Sequence, residues 1–106
     1  MKTIEKNKLI AEFMGYPKHK IDFVGKRLNF ENSKHNTYHK DWNWLIEVVE
    51  KIESLGYRME IVKHICRIYL SNKETIVISE NTPKIEAVYN AVVEFIKWYN
   101  NKNKVS

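Results

Sequence analysis

Apolar residues recur every three or four positions in three blocks of this chain, and a stretch of short alternating runs lies between the last two. Residues 3 to 14 set Leu9, Ile10, Phe13 and Met14 on one helical arc, with Gly15 where a left-handed C-terminal cap sits, which predicts a short first helix. Asp41 opens the second block, since its carboxylate can accept from the free amides of a first turn. The pattern predicts a helix from there to Leu55 that stops at Gly56. Trp42, Leu45, Ile46, Val49 and Ile52 make one stripe, and Trp44, Val48 and Leu55 a second beside it. Together they cover roughly 200° of the circumference against the roughly 100° a single surface needs, so this helix must touch more than one neighbour.

Residues 57 to 79 read as strands: Arg58 to Val62, Ile65 to Leu70 and Glu74 to Ser79, joined by turns at Lys63-His64 and Ser71-Asn72-Lys73. Their β-branched content and short connections predict an antiparallel meander. In the middle run Cys66, Ile68 and Leu70 share one face, while Ile65, Arg67 and Tyr69 share the other. That suits a sheet packed by helices on one face and partly covered on the second. The last helix is expected to start with Thr82 as cap and Pro83 at the first helical position, where proline forfeits no hydrogen bond. Ile85, Val88, Tyr89, Val92, Val93, Phe95, Ile96 and Tyr99 form its apolar arc, and Ala87, Ala91 and Trp98 extend that arc. This is more apolar surface than one small sheet can cover, so either the first helix packs there or another copy of the chain does. Ala87, Ala91 and Trp98 are the expected interface of a homodimer or higher homo-oligomer. The polar tail, 100–106, is expected to fray.

These elements make a single α+β domain over residues 1–106, a small antiparallel three-stranded meander packed by helices. The order is helix, loop, helix, three strands, helix. Pro17 ends the first helix, and residues 16–40 keep no sustained period, so they are expected to form an irregular loop anchored by Ile21, Phe23, Val24, Leu28 and Phe30. Loops of this length in small domains tend to carry function.

Composition changes the picture in two ways. No apolar run approaches the roughly 20 residues of a bilayer span, and the charged start Met1-Lys2-Thr3-Ile4-Glu5-Lys6 lacks a signal-peptide core, so a soluble cytoplasmic protein with no membrane contact is expected. The lone Cys66 can form no internal disulfide and reads as a buried small hydrophobe. The net charge of +5 is also uneven. Lys18, Lys20, Lys26, Arg27, Lys34 and Lys40 face only Asp22 and Glu31 between Tyr16 and Lys40, which leaves +4 in that segment. Such a field can draw in phosphates, nucleotides or an acidic protein face. Lysine greatly outnumbers arginine, however, whereas nucleic-acid readers lean on arginine.

No phosphate-binding glycine loop, nucleophile elbow or metal-binding cysteine pair is present in the sequence. Glu47, Glu50 and Glu53 fall on the polar side of their helix, so catalysis is the minority reading. His35 and His39 have a metal-binding spacing, but Asp41 is their only obvious carboxylate partner, and both read as solvated residues. No metal and no cofactor is expected. His19 and His64 read as surface residues. The better material is for binding. Lys34, His35, Tyr38, His39, Lys40, Trp42 and Trp44 interleave cations with rings on which a base can stack, beside the amino end of the second helix. Asp41 opposes this, since its carboxylate takes those amides and repels phosphate.

Lys8-Leu9-Ile10-Ala11-Glu12-Phe13-Met14-Gly15, Trp42-Asn43-Trp44-Leu45 with Val48-Val49-Glu50-Lys51-Ile52-Glu53, and Glu86-Ala87-Val88-Tyr89 leading to Phe95-Ile96-Lys97-Trp98-Tyr99 resemble a group of small phage and bacterial proteins similar to the phage ABA-sandwich domain. The resemblance covers most of the chain outside residues 16–40. It implies a small sheet sandwiched between helices and, through phage context, an accessory role such as antagonising host defence. Its matching residues are core and cap positions, so it transfers no site. The sequence thus leads to a non-catalytic binder of a small anionic ligand such as a nucleotide second messenger. The alternatives are an inhibitor that docks its last helix or loop on a host protein, and a weak nucleic-acid binder using residues 16–40.

Overall fold

Three strands of six residues each form the centre of the molecule. β1 (Tyr57–Val62), β2 (Ile65–Leu70) and β3 (Thr75–Glu80) pair antiparallel in the order β1-β2-β3, with Met59 opposite Ile68 and Ile68 opposite Val77. The computed structural model describes residues 2–15, 37–70 and 74–104. Among these, three helices complete the α+β fold: α1 (Thr3–Phe13), α2 (Trp42–Ser54) and α3 (Lys84–Lys104). The loop expected over 16–40 lies outside the described residues except for 37–40, as does the turn at 71–73. None of the described helices is long and apolar enough to cross a membrane.

Local chemistry explains most boundaries. Asp41 caps α2 by accepting from Asn43 N–H at 2.9 Å, and Gly56 ends it at φ +100°, a left-handed conformation that side chains resist. Gly15 does the same after α1 at φ +95°. The start of α3 differs from expectation. Thr82 does not cap it: Pro83 O accepts from Glu86 N–H at 2.9 Å, so the helix begins at Lys84. At its other end the helix takes in most of the tail expected to fray. The helix runs on to Lys104, where Lys102 Nζ lies 5.1 Å over the ring of Trp98 one turn back and ties the last turns together.

The core is one cluster between the sheet's apolar face and the helices. Cys66 and Ile68 of β2 are fully buried in it with Ile10, Leu45, Val48, Ile52, Val88, Val92, Phe95 and Ile96. Rings lock its end: Tyr57 meets Phe95 edge-on at 4.8 Å, and Phe13 meets Tyr99 edge-on at 6.0 Å. α2 packs on β1, α3 packs on β2 and β3, and α1 packs on α3. Burial pushes the Cys66 thiol up to about 12, which leaves it an inert packing residue at neutral pH.

Two expectations about apolar surface are corrected. Ala87 and Ala91 are fully buried inside the chain, and Trp98 is half-buried edge-on to Tyr57 at 5.9 Å. The side of α3 assigned to a second copy is therefore filled by the chain's own sheet and helices, so these two alanines have no surface to offer. Conversely, the partial cover expected over the sheet's second face is lacking at Ile78 and Val62, which are 66% and 53% exposed.

Candidate functional site: a polar cleft between α1 and α3

Asn7 is the buried polar side chain of the core among the described residues. It falls on the stripe of α1 that carries Ile10, Ala11 and Met14, so helical geometry turns it inward with them. Its amide is held on both sides. Asn7 Nδ2 lies 3.1 Å from His39 Nδ1, and Tyr89 of α3 donates its hydroxyl to Asn7 Oδ1 at 3.0 Å. The Tyr89 oxygen is also 3.5 Å from Thr3 O, and the His39 and Tyr89 rings lie edge-to-face at 6.0 Å. Three segments distant in sequence are thus joined by one polar chain inside an apolar core.

Just outside this chain lies a cleft of about 260 Å³, walled by Thr3 and Lys6 of α1, His39, and Ile85, Glu86 and Asn90 at the start of α3. Both helices contribute residues from their amino ends, where the helix dipole is positive, although the Glu86 and Lys6 amides are already taken by Pro83 O and Lys2 O. Lys6 adds a cation and Glu86 an acceptor. Asn90 is fixed in place by donating from Nδ2 to Asn81 Oδ1 at 2.9 Å.

The electrostatics follow from burial. His39 has its pKa lowered, first by burial and second by the charge of neighbouring Lys40, so it is neutral at physiological pH. Burial raises the Tyr89 phenol well above its ordinary value, so it remains a donor. An amide nitrogen only donates, so the orientation that sets Asn7 Nδ2 against His39 Nδ1 goes with an accepting Nδ1 and a ring proton on Nε2.

The residues singled out from sequence are not brought together. Lys34 and His35 lie outside the described residues. Tyr38 is buried in the core, where Trp44 meets its ring edge-on at 6.4 Å, and burial with the charge of Glu47 pushes its phenol up to about 12. Neither face of Tyr38 is open to a base, which corrects its assignment as a ligand platform. Trp44 is half-buried behind it, while Trp42 and Lys40 are exposed. Among the described ones only His39 lines a cavity, and it is half-buried and hydrogen-bonded rather than solvated as expected. Among the described residues no three His, Cys, Asp or Glu side chains gather into a metal-binding group. Thr3, Lys6, Asn7, Glu86 and Tyr89 were missed by sequence reasoning. The signal that could have found them is Asn7 itself, a polar residue at a stripe position.

A larger and more open cavity of about 530 Å³ crosses the start of β1, lined by Glu53, Arg58, Met59 and Tyr69. There the Arg67 guanidinium lies 4.5 Å over the Tyr69 ring and 3.5 Å from a Glu60 oxygen. Glu53 and Gly56 place that cavity at the carboxyl end of α2, where the helix dipole is negative, so the smaller cleft beside two helix amino ends is the better candidate for an anion. Comparison with known protein families, curated proteins and solved structures found no match for this chain.

Proposed function

We propose that the chain acts by binding rather than by catalysis, and that the cleft between α1 and α3 takes the anionic group of a small ligand. The observation that carries this reading is the joint wall of Lys6, neutral His39 and the first turns of two helices. Helix amino ends favour anions, and Lys6 supplies a charge-assisted hydrogen bond. Glu86 on the same wall disfavours a bare anion. It favours one that also carries donor groups, as the hydroxyls and amino groups of a nucleotide do. The cleft's volume is just under the roughly 300 Å³ at which drug-sized sites begin, so it suits one end of such a ligand. In the setting implied by the resemblance to phage proteins, holding a nucleotide signal would keep it from a host receptor.

Titration calorimetry against cyclic and linear nucleotides at low salt tests the reading. Binding is expected for at least one of them, with Lys6→Met weakening it about tenfold, the worth of one charge-assisted hydrogen bond. No heat with any nucleotide, or binding indifferent to Lys6→Met, would sink it.

A further inference from the structure

The amide of Asn7 has two orientations, and its neighbours do not treat them equally. In the first, Oδ1 accepts from the Tyr89 hydroxyl at 3.0 Å while Nδ2 donates to His39 Nδ1 at 3.1 Å, and His39 keeps its proton on Nε2. In the second, the amide is turned over. Oδ1 then accepts a proton carried on His39 Nδ1, Nδ2 donates to the Tyr89 oxygen, and the Tyr89 hydroxyl must find Thr3 O, which stands 3.5 Å away. That distance is long for an O–H donor, so the first arrangement is the better satisfied.

We propose that Asn7 and Tyr89 are positioning residues that lock His39 as the Nε2–H tautomer, so that the ring gives the cleft a hydrogen-bond donor without giving it a second positive charge. This rests on the ligand reading above and refines it, because the cleft then offers His39 to an oxygen acceptor and leaves Lys6 as its side-chain cation. Protonation of His39 at Nδ1 would set N–H against N–H unless the Asn7 amide turned and Tyr89 swung to Thr3. Among the described residues, the charged and titratable groups around His39 are Lys40 on its own turn, Lys6 on α1, and Glu86 and Tyr89 on α3. Lys40 and Lys6 oppose a charged ring, and Glu86 is the acid that would support one.

Nitrogen NMR of the imidazoles in the ligand-free protein reads the lock directly, so its outcome is separate from whether any nucleotide binds. His39 is expected to favour the Nε2–H form by about tenfold at pH 7.5, the worth of one hydrogen bond. Tyr89→Phe removes the hydroxyl that holds the amide oxygen. The tautomer ratio is then expected to fall several-fold and the titration midpoint of His39 to rise. A His39 proton found on Nδ1 in the unmodified protein overturns the proposal even if the variant cannot be made to fold. A Tyr89→Phe protein with the tautomer ratio and midpoint unchanged overturns it equally.

Discussion

Replacing Lys51 with methionine should loosen the docking of α1, and the size of the effect can be worked from the contacts. Lys51 reaches from α2 to donate from Nζ to Phe13 O, a carbonyl of the last turn of α1 that has no intrahelical partner, and it lies 4.7 Å from the centre of the Phe13 ring. Methionine keeps the alkyl packing and removes both interactions. A hydrogen bond from a charged donor contributes about 1 kcal/mol once its partial exposure is discounted, and the cation–ring contact about 0.5 kcal/mol more. For a domain of this size, a loss of about 1.5 kcal/mol lowers Tm by about 7 °C. Thermal melts of Lys51→Met, Phe13→Leu and the double variant separate the two parts. Phe13→Leu keeps the carbonyl, so the cycle should return a coupling of about 0.5 kcal/mol between side chains. If Lys51→Met melts within a degree of the unmodified protein, Lys51 does not hold the carboxyl end of α1 and this reasoning is wrong.

Two further outcomes are expected. Ala91→Leu forces three extra heavy atoms into a fully buried site and should cost about 1–3 kcal/mol in urea denaturation, with no gain in oligomer by native mass spectrometry. A tolerated leucine would mean that this side of α3 is open. Because the folded-state pKa of His39 lies below its unfolded value, the unfolded chain binds the proton more readily, so stability should fall as pH drops through 6.5. Denaturation midpoints between pH 7.5 and 5.5 should show this slope, and His39→Gln should flatten it; an equal slope in both proteins would contradict the assignment.

What was legible in the sequence was whatever depends on neighbours along the chain. The α2 cap at Asp41, the stops at Gly15 and Gly56, the limits of β2 and the burial of Cys66 all follow from local geometry and apolar period. The limits of β1 and β3 were off by one residue because edge positions such as Tyr57 and Glu80 are decided by pairing across the sheet. The start of α3 was misplaced because Thr82 and Pro83 read as a cap by type, whereas the acceptor used is the Pro83 carbonyl. The surplus apolar surface of α2 and α3 was read as needing cover, and the first helix, one of the two covers expected for the last helix, does pack on α3, but the residues that meet were not identified. Phe13 of α1 lies edge-on to Phe95 at 6.3 Å, an assignment that no single-helix pattern contains.

The site was hidden for a related reason. Basic and aromatic residues adjacent in sequence, such as the buried Tyr38, half-buried His39 and exposed Lys40, are spread to different environments by the turn that precedes α2, so density along the chain did not become density in space. Asn7 carries the opposite message. An amide in the middle of a core stripe costs stability unless every polar atom is paired, and a leucine there would satisfy α1 just as well as a helix. The chain instead meets that requirement with His39 and Tyr89, drawn from segments 32 and 82 residues away. Packing α1 against α3 does not require this polar chain, since Ile10, Ala11 and Phe13 already supply apolar contact. What the polar chain adds is a fixed direction for His39 at the cleft wall, and this break with local helix logic coincides with the cavity proposed to bind a ligand.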